Sequence, residues 1–157
     1  MYFMMAVALL FVLPAACILG QSLFEPHAIS ALMVGKWLAF WAVGMRLLLA
    51  GMRQMLQPRY TAEVILGLKS ADALFVVREL GFANTALGLI GVGSILAPAW
   101  VSAATLAGTI FYGLAGINHL RHKARNARQN FAMVTDLVIA LILAGCCAAI
   151  ALQPIHS

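Results

Sequence analysis

Charge is what this chain has least of. Only 10% of its 157 residues are Asp, Glu, Lys or Arg, against 64% from the set AVILMFWYC, where a soluble domain carries about a quarter charged and about half apolar residues. That balance excludes an ordinary globular domain, and the shortage of polar residues equally excludes a disordered chain. Cysteine is scarce as well. Cys17, Cys146 and Cys147 all lie in apolar stretches, which is neither a disulfide framework nor a zinc spacing and reads as small core residues that stay free thiols. There is no Gly-rich phosphate loop, nucleophile elbow or metalloprotease His pair. Linkers, low-complexity tracts and long-range repeats are also missing, so 1–157 reads as one domain. With a mean hydropathy of +0.98, the solvent for that domain is lipid.

The apolar runs number five, at about 2–24, 31–55, 73–96, 100–120 and 131–152. Each is near the ~20 residues that a spanning helix needs, so the fold class is an all-α integral membrane bundle of five transmembrane helices. The first run contains Pro14 but has no Lys or Arg ahead of it and is long for the apolar region of a secretory signal, which makes it a retained helix. Between the second and third runs, residues 60–68 are too short to cross and half amphipathic, which suits an interfacial helix.

Five alternating spans put the second and fourth connections on the side of the N-terminus. Those connections hold Arg53, Arg59, Lys69, Arg121, Lys123, Arg125 and Arg128, whereas the first and third connections and the C-terminal tail hold no Lys or Arg. A split of seven to zero is the positive-inside pattern, so the expectation is a cytoplasmic N-terminus and a periplasmic C-terminus in a bacterial inner membrane. The net charge of +5 is then a topological signal rather than a nucleic-acid surface.

Charged side chains inside spans each cost roughly 2.5–3.5 kcal/mol on insertion scales and need a partner, a wet cavity or a route to the interface. Lys36 is close enough to the outer end to snorkel. Arg46 lies about 14 Å from the inner end of its run, and Glu79 and Asp136 about 8 Å from theirs, at 1.5 Å per residue. An Arg reaching inward by ~6 Å meets them. Three stripes support a meeting in the cytoplasmic half: Gly81, Asn84, Gly88 and Gly91; Thr105, Gly108, Tyr112, Gly116 and His119; and Asp136, Ala140, Ala144, Cys147 and Ala151. Each recurs at three- and four-residue intervals, so each is one helix face of small and polar residues.

Arg46, Glu79, Asn84, Tyr112, His119 and Asp136 are therefore the candidate ligand- or proton-binding residues, with Gly81, Gly88, Gly91, Gly108 and Gly116 as packing positions. The bland alternative is that the seams only pack and their polar groups bond one another. His27 and His156 fall on the outer side and His122 shares a helix end with His119, so no bis-histidine haem pair forms. Zinc lacks thiolate ligands on the inner side. No metal, cofactor or nucleic acid is expected. A His119 that donates to Glu79 or Asp136 would suit a proton relay.

Glu79-Leu80-Gly81-Phe82-Ala83-Asn84, continuing to Gly88, with Gly116-Ile117-Asn118-His119 and Asp136, resembles an uncharacterised family of small bacterial multi-pass membrane proteins, and is more remotely similar to DoxX-like four-helix membrane proteins. The likeness covers roughly Phe75 to Ala140. It implies the architecture and the polar cluster but no reaction. The expectation is a non-enzymatic accessory or binding component that packs with itself or with a larger membrane complex. The alternative is a small-solute or proton-coupled transporter using Glu79, His119 and Asp136, and third comes an enzyme acting on a lipid or quinone.

Overall fold

The computed structural model describes residues 2–25 and 29–152. Among them the structure is helical, with no strand: α1 (Tyr2–Phe24), α2 (Ala31–Leu56), the short α3 (Tyr60–Leu66), α4 (Ala71–Gly93), α5 (Trp100–Arg121) and α6 (Ala127–Ala151). All but α3 are long and apolar enough to cross a membrane. His27, His156 and the tail after Leu152 lie outside the described residues.

Short polar side chains set the helix starts. Ser30 accepts from the Met33 N–H to open α2, and Ser70 from the Ala73 N–H to open α4. Asn126 and Gln129 form a reciprocal capping box at α6, satisfying two N–H groups that have no partner within the helix. That box starts α6 at Ala127, four residues before the apolar run begins. Asp136 is therefore about 13 Å from the end of its helix at 1.5 Å per residue, a position along α6 comparable with those of Arg46 on α2 and Tyr112 on α5.

Two spans contain π-helical turns, Ala8–Val12 in α1 and Ala39–Met45 in α2. The first precedes Pro14, whose missing N–H and ring break the regular ladder, and a local widening of the helix absorbs the conflict. In the second, the Tyr112 hydroxyl of α5 donates to the Ala42 carbonyl, supplying a partner within the bundle for a backbone group that lipid cannot solvate.

Helices α2 and α4 pack along a glycine seam. A Cβ on Gly91 would stand 2.5 Å from the Gly44 nitrogen, and one on Gly88 2.5 Å from the Leu48 nitrogen. Gly51 meets Thr85 and Gly81 one turn further on. Backbones this close gain dispersion contacts that lipid tails cannot match, and this, rather than expulsion of water, drives association in a bilayer. On the other side of α2, Leu10, Val43, Leu47, Tyr112, Ile139 and Leu143 form the buried core with α1, α5 and α6. Gly108 abuts Val43 and Leu143, and Gly116 abuts Leu137. The stripes of α4 and α5 are thus occupied within the chain, whereas of the third only Asp136 and Ala140 are buried and Ala151 is exposed, the inner face of α6 running instead through Ile139, Leu143 and Cys146.

Cys17 accepts a hydrogen bond from Trp41 Nε1 at 3.3 Å, Cys146 donates to the Ala31 carbonyl at 3.4 Å, and all three thiols are free.

Candidate functional site

The half of the bundle nearer the basic connections is not packed like the other. It encloses a cavity of about 540 Å3 to which every helix contributes. From α2 come Arg46, Leu47, Leu49, Ala50, Arg53 and Gln54. Arg46 and Arg53 are seven residues apart and share a face, as two turns of helix require. Opposite them stand Leu80 and Asn84 from α4, Tyr112, Leu114, Asn118 and His119 from α5, and Asp136 from α6. Tyr2 at the start of α1 completes the wall, and the T-shaped stack of its neighbour Phe3 on Phe131 (4.7 Å between centroids) ties that end of α1 to α6.

Two polar atoms here lack a partner. Arg46 Nε and Asn84 Oδ1 are buried without a hydrogen bond, although Asn84 is only 3% exposed and its Nδ2 donates to Gln54 Oε1 at 2.7 Å. A buried unsatisfied polar group costs about 1–3 kcal/mol, so a pair of them in one cavity is a demand for a donor and an acceptor from elsewhere. Arg46 lies within Coulombic reach of Tyr2, Tyr112 and Asp136, yet no Arg46–Asp136 ion pair forms. Among the described residues the one ion pair is the exposed Arg59–Glu63, at 3.5 Å. The second guanidinium, Arg53, stacks on Tyr60 with 4.2 Å from Cζ to the ring centroid.

The end of the cavity facing the basic connections is covered by α3, which contributes Tyr60, Thr61, Ile65 and Leu66. One face of this helix packs inward, with Thr61 and Ala62 buried, and the other is open, with Glu63 and Val64 exposed. Its last carbonyls are clasped by the start of α6, with Asn126 Nδ2 donating to the Ile65 carbonyl at 3.0 Å, Gln129 Nε2 to Leu66 at 3.3 Å and Arg128 to Val64 at 3.4 Å. Gly67, at φ 74°, then turns the chain out of α3 in a left-handed conformation that favours glycine.

Of the six candidate binding residues, five line this cavity: Arg46, Asn84, Tyr112, His119 and Asp136. Glu79 does not. It is exposed and makes no hydrogen bond or ion pair among the described residues. The reason is angular. The buried stripe of α4 is Val77, Gly81, Asn84, Gly88 and Gly91, and Glu79 is two residues from its nearest members, about 200° around a helix of 3.6 residues per turn. Nor does His119 donate to either carboxylate. Its carbonyl instead accepts from Arg125 at 3.0 Å. Among the described residues no group of three or more His, Cys, Asp or Glu is arranged to hold a metal.

Sequence reasoning missed Tyr2, Arg53, Gln54, Thr61 and Asn118. The seven-residue spacing of Arg46 and Arg53 was a usable signal for one of them; Tyr2 and Thr61 reach the cavity only because α1 and α3 cross its end.

Residues 2–153 match a family profile described as a family of unknown function (DUF6790). The chain belongs to this family. No curated protein and no solved structure matches it.

Proposed function

We propose that this protein is a non-enzymatic binding component of the bacterial inner membrane that holds a small amphiphilic molecule in the cavity between α2, α4, α5 and α6. The observation that carries this reading is the pair of unpartnered buried atoms, Arg46 Nε and Asn84 Oδ1, on side chains lining one cavity. Its size is within the few hundred to about 1,000 Å3 typical of small-molecule sites, and its mixture of leucine walls with a few convergent polar groups is the usual composition of such sites. In this reading the N-terminus is cytoplasmic and the C-terminus periplasmic, supported by the seven cationic side chains of the second and fourth connections and the helix ends that flank them. The cavity then lies in the cytoplasmic half. The bilayer is its first partner, and a second copy or a larger membrane complex would dock on the outer faces that the seams leave free.

The test is native mass spectrometry of protein extracted in mild detergent, comparing the wild type with Arg46→Gln and Asp136→Asn. A discrete bound mass that is retained by the wild type and lost in Arg46→Gln supports binding. Identical spectra from all three proteins would sink it.

A transport reading keeps one supporting observation, because His119 and Asp136, both titratable, share the cavity. It loses Glu79, and it expects proton-dependent solute flux in proteoliposomes that Asp136→Asn abolishes.

A further inference from the structure

The cavity has two boundaries of different character. Toward the basic connections it is closed by α3, held down by side chains from the start of α6. Sideways, its lining residues are exposed and apolar: Leu114 on α5 is 65% exposed, Leu80 on α4 38% and Leu49 on α2 37%. These leucines are side chains of spanning helices, so the medium they face is hydrocarbon. Helices α4 and α5 are consecutive and meet tightly at their other ends, where Trp100 covers Gly93. Toward the basic end both still contribute to the cavity wall, with Leu80 and Leu114 exposed at its margin. One helical turn beyond Leu114, at i+4 on the same face of α5, stands Asn118, also exposed and lining the cavity. Along that edge the lining passes from the apolar Leu114 to the polar Asn118, while Arg46 stands at about the depth of the leucines, so a head held there leaves its chain to run sideways between the helices.

The charge inside is unequal. Arg46 and Arg53 line the cavity against the single carboxylate of Asp136, so with a neutral His119 the site is net cationic. In a medium of low dielectric constant that excess favours a negative group far more than it does in water.

We infer that the cavity opens laterally into the bilayer between α4 and α5, past Leu49, Leu80 and Leu114, and that it receives an acyl-chain amphiphile whose anionic head is held by Arg46 and Arg53. This rests on the binding reading above and adds to it the ligand class and the route. The head accepts from the guanidiniums and from the free Gln54 amide N–H, a hydroxyl on a head that carries one donates to Asn84 Oδ1, and the chain leaves along the leucines. A fatty acid and a phosphatidic acid share this chemistry.

The experiment uses the full chain in phosphatidylcholine nanodiscs with two photoactivatable, clickable probes, a diazirine fatty acid and a diazirine phosphatidic acid. Crosslinks in the wild type should map to peptides containing Leu49, Leu80 or Leu114. Leu80→Trp and Leu114→Trp alter exposed positions, leave the packed seams untouched and should lower crosslinking by about tenfold, equivalent to about 1.4 kcal/mol. Arg46→Gln should do the same. A lock of α3 onto α6, made by bridging Val64→Cys and Arg128→Cys with a short water-soluble bismaleimide that spans the length of the Arg128 side chain, should leave crosslinking unchanged. Labelling by the fatty acid alone or by the phosphatidic acid alone identifies the source, and either upholds the class. If the lock abolishes labelling while the two tryptophan variants do not, the ligand enters from water and the lateral route is wrong, although binding stands. If a chainless diazirine benzoate labels the cavity as well as the acyl probes do, the amphiphile class is wrong. If no probe reaches the cavity and native spectra show no bound mass, the binding reading itself falls.

Discussion

Two faces of α2 meet the rest of the bundle and differ in what they present. On one, Gly44, Leu48 and Gly51 lie in backbone contact with Gly91, Gly88 and Gly81 of α4 over most of the interface. On the other, toward the basic connections, α2 presents Arg46, Arg53 and Gln54, α5 presents Asn118 and His119, and the helices stand around a cavity. Long polar side chains cannot interdigitate as glycines do, and in lipid they must face one another or a ligand rather than the solvent. The difference teaches that close packing and the polar cavity are allotted to different faces of one helix. Helix α2 carries both, through a glycine face and a cationic face.

The comparison breaks most readily at the seam. Gly88→Leu puts its Cβ within 2.5 Å of the Leu48 nitrogen and should lower stability by about 3 kcal/mol, the upper part of the overpacking range, or prevent folding. Ala115→Leu makes a comparable enlargement facing the cavity, where room exists, and should fall within about 0.5 kcal/mol of the wild type. Thermal unfolding of both in one detergent decides this. Equal losses would mean that the cavity half is packed as tightly as the seam.

A smaller loss should follow Tyr112→Phe, which removes the donor to the Ala42 carbonyl in the π-helical turn of α2. About 1 kcal/mol is expected for a single hydrogen bond, read as a lowered unfolding temperature with ligand adducts retained. No loss would show that this carbonyl needs no partner from α5.

The combined change Arg46→Met with Asp136→Asn should leave stability unchanged or raise it by up to about 1 kcal/mol, because replacing buried charges with uncharged side chains of similar size is often neutral or stabilising. Bound mass in native spectra should disappear. A large destabilisation would show instead that the two charges hold the bundle together and that the cavity is a structural feature.

The smallest effect is expected for Glu79→Gln. Exposed and unpaired among the described residues, Glu79 should contribute within about 0.5 kcal/mol and leave both adducts and crosslinking as they are. A loss of binding would bring Glu79 back into the site through a rearrangement of α4.

Composition and hydropathy were enough for the all-helical class and for five spans, because twenty-odd apolar residues in lipid have one economical conformation, the helix that satisfies its own backbone. The three- and four-residue spacing of Gly81, Asn84, Gly88 and Gly91 determined a face, and that face is the one buried against α2. That Arg46, Asn84, Tyr112, His119 and Asp136 face inward, where they line the cavity, was legible on the same grounds, since a polar group inside a span has few places to go. Glu79 misled because depth was read without angle: it is at a suitable level but on the far side of its helix. The start of α6 was misjudged for a related reason, as hydropathy marks where lipid begins while the Asn126 and Gln129 box marks where the helix begins. What only the tertiary structure decided is which faces meet. That choice closes Gly44 on Gly91, keeps Arg46 and Asp136 in one cavity without pairing them, and lays α3 across its end. Those outcomes depend on contacts between residues from different helices, with sequence separations such as the 61 positions between Ile65 and Asn126, and the periodicity of a single helix carries no information about the face its neighbour presents.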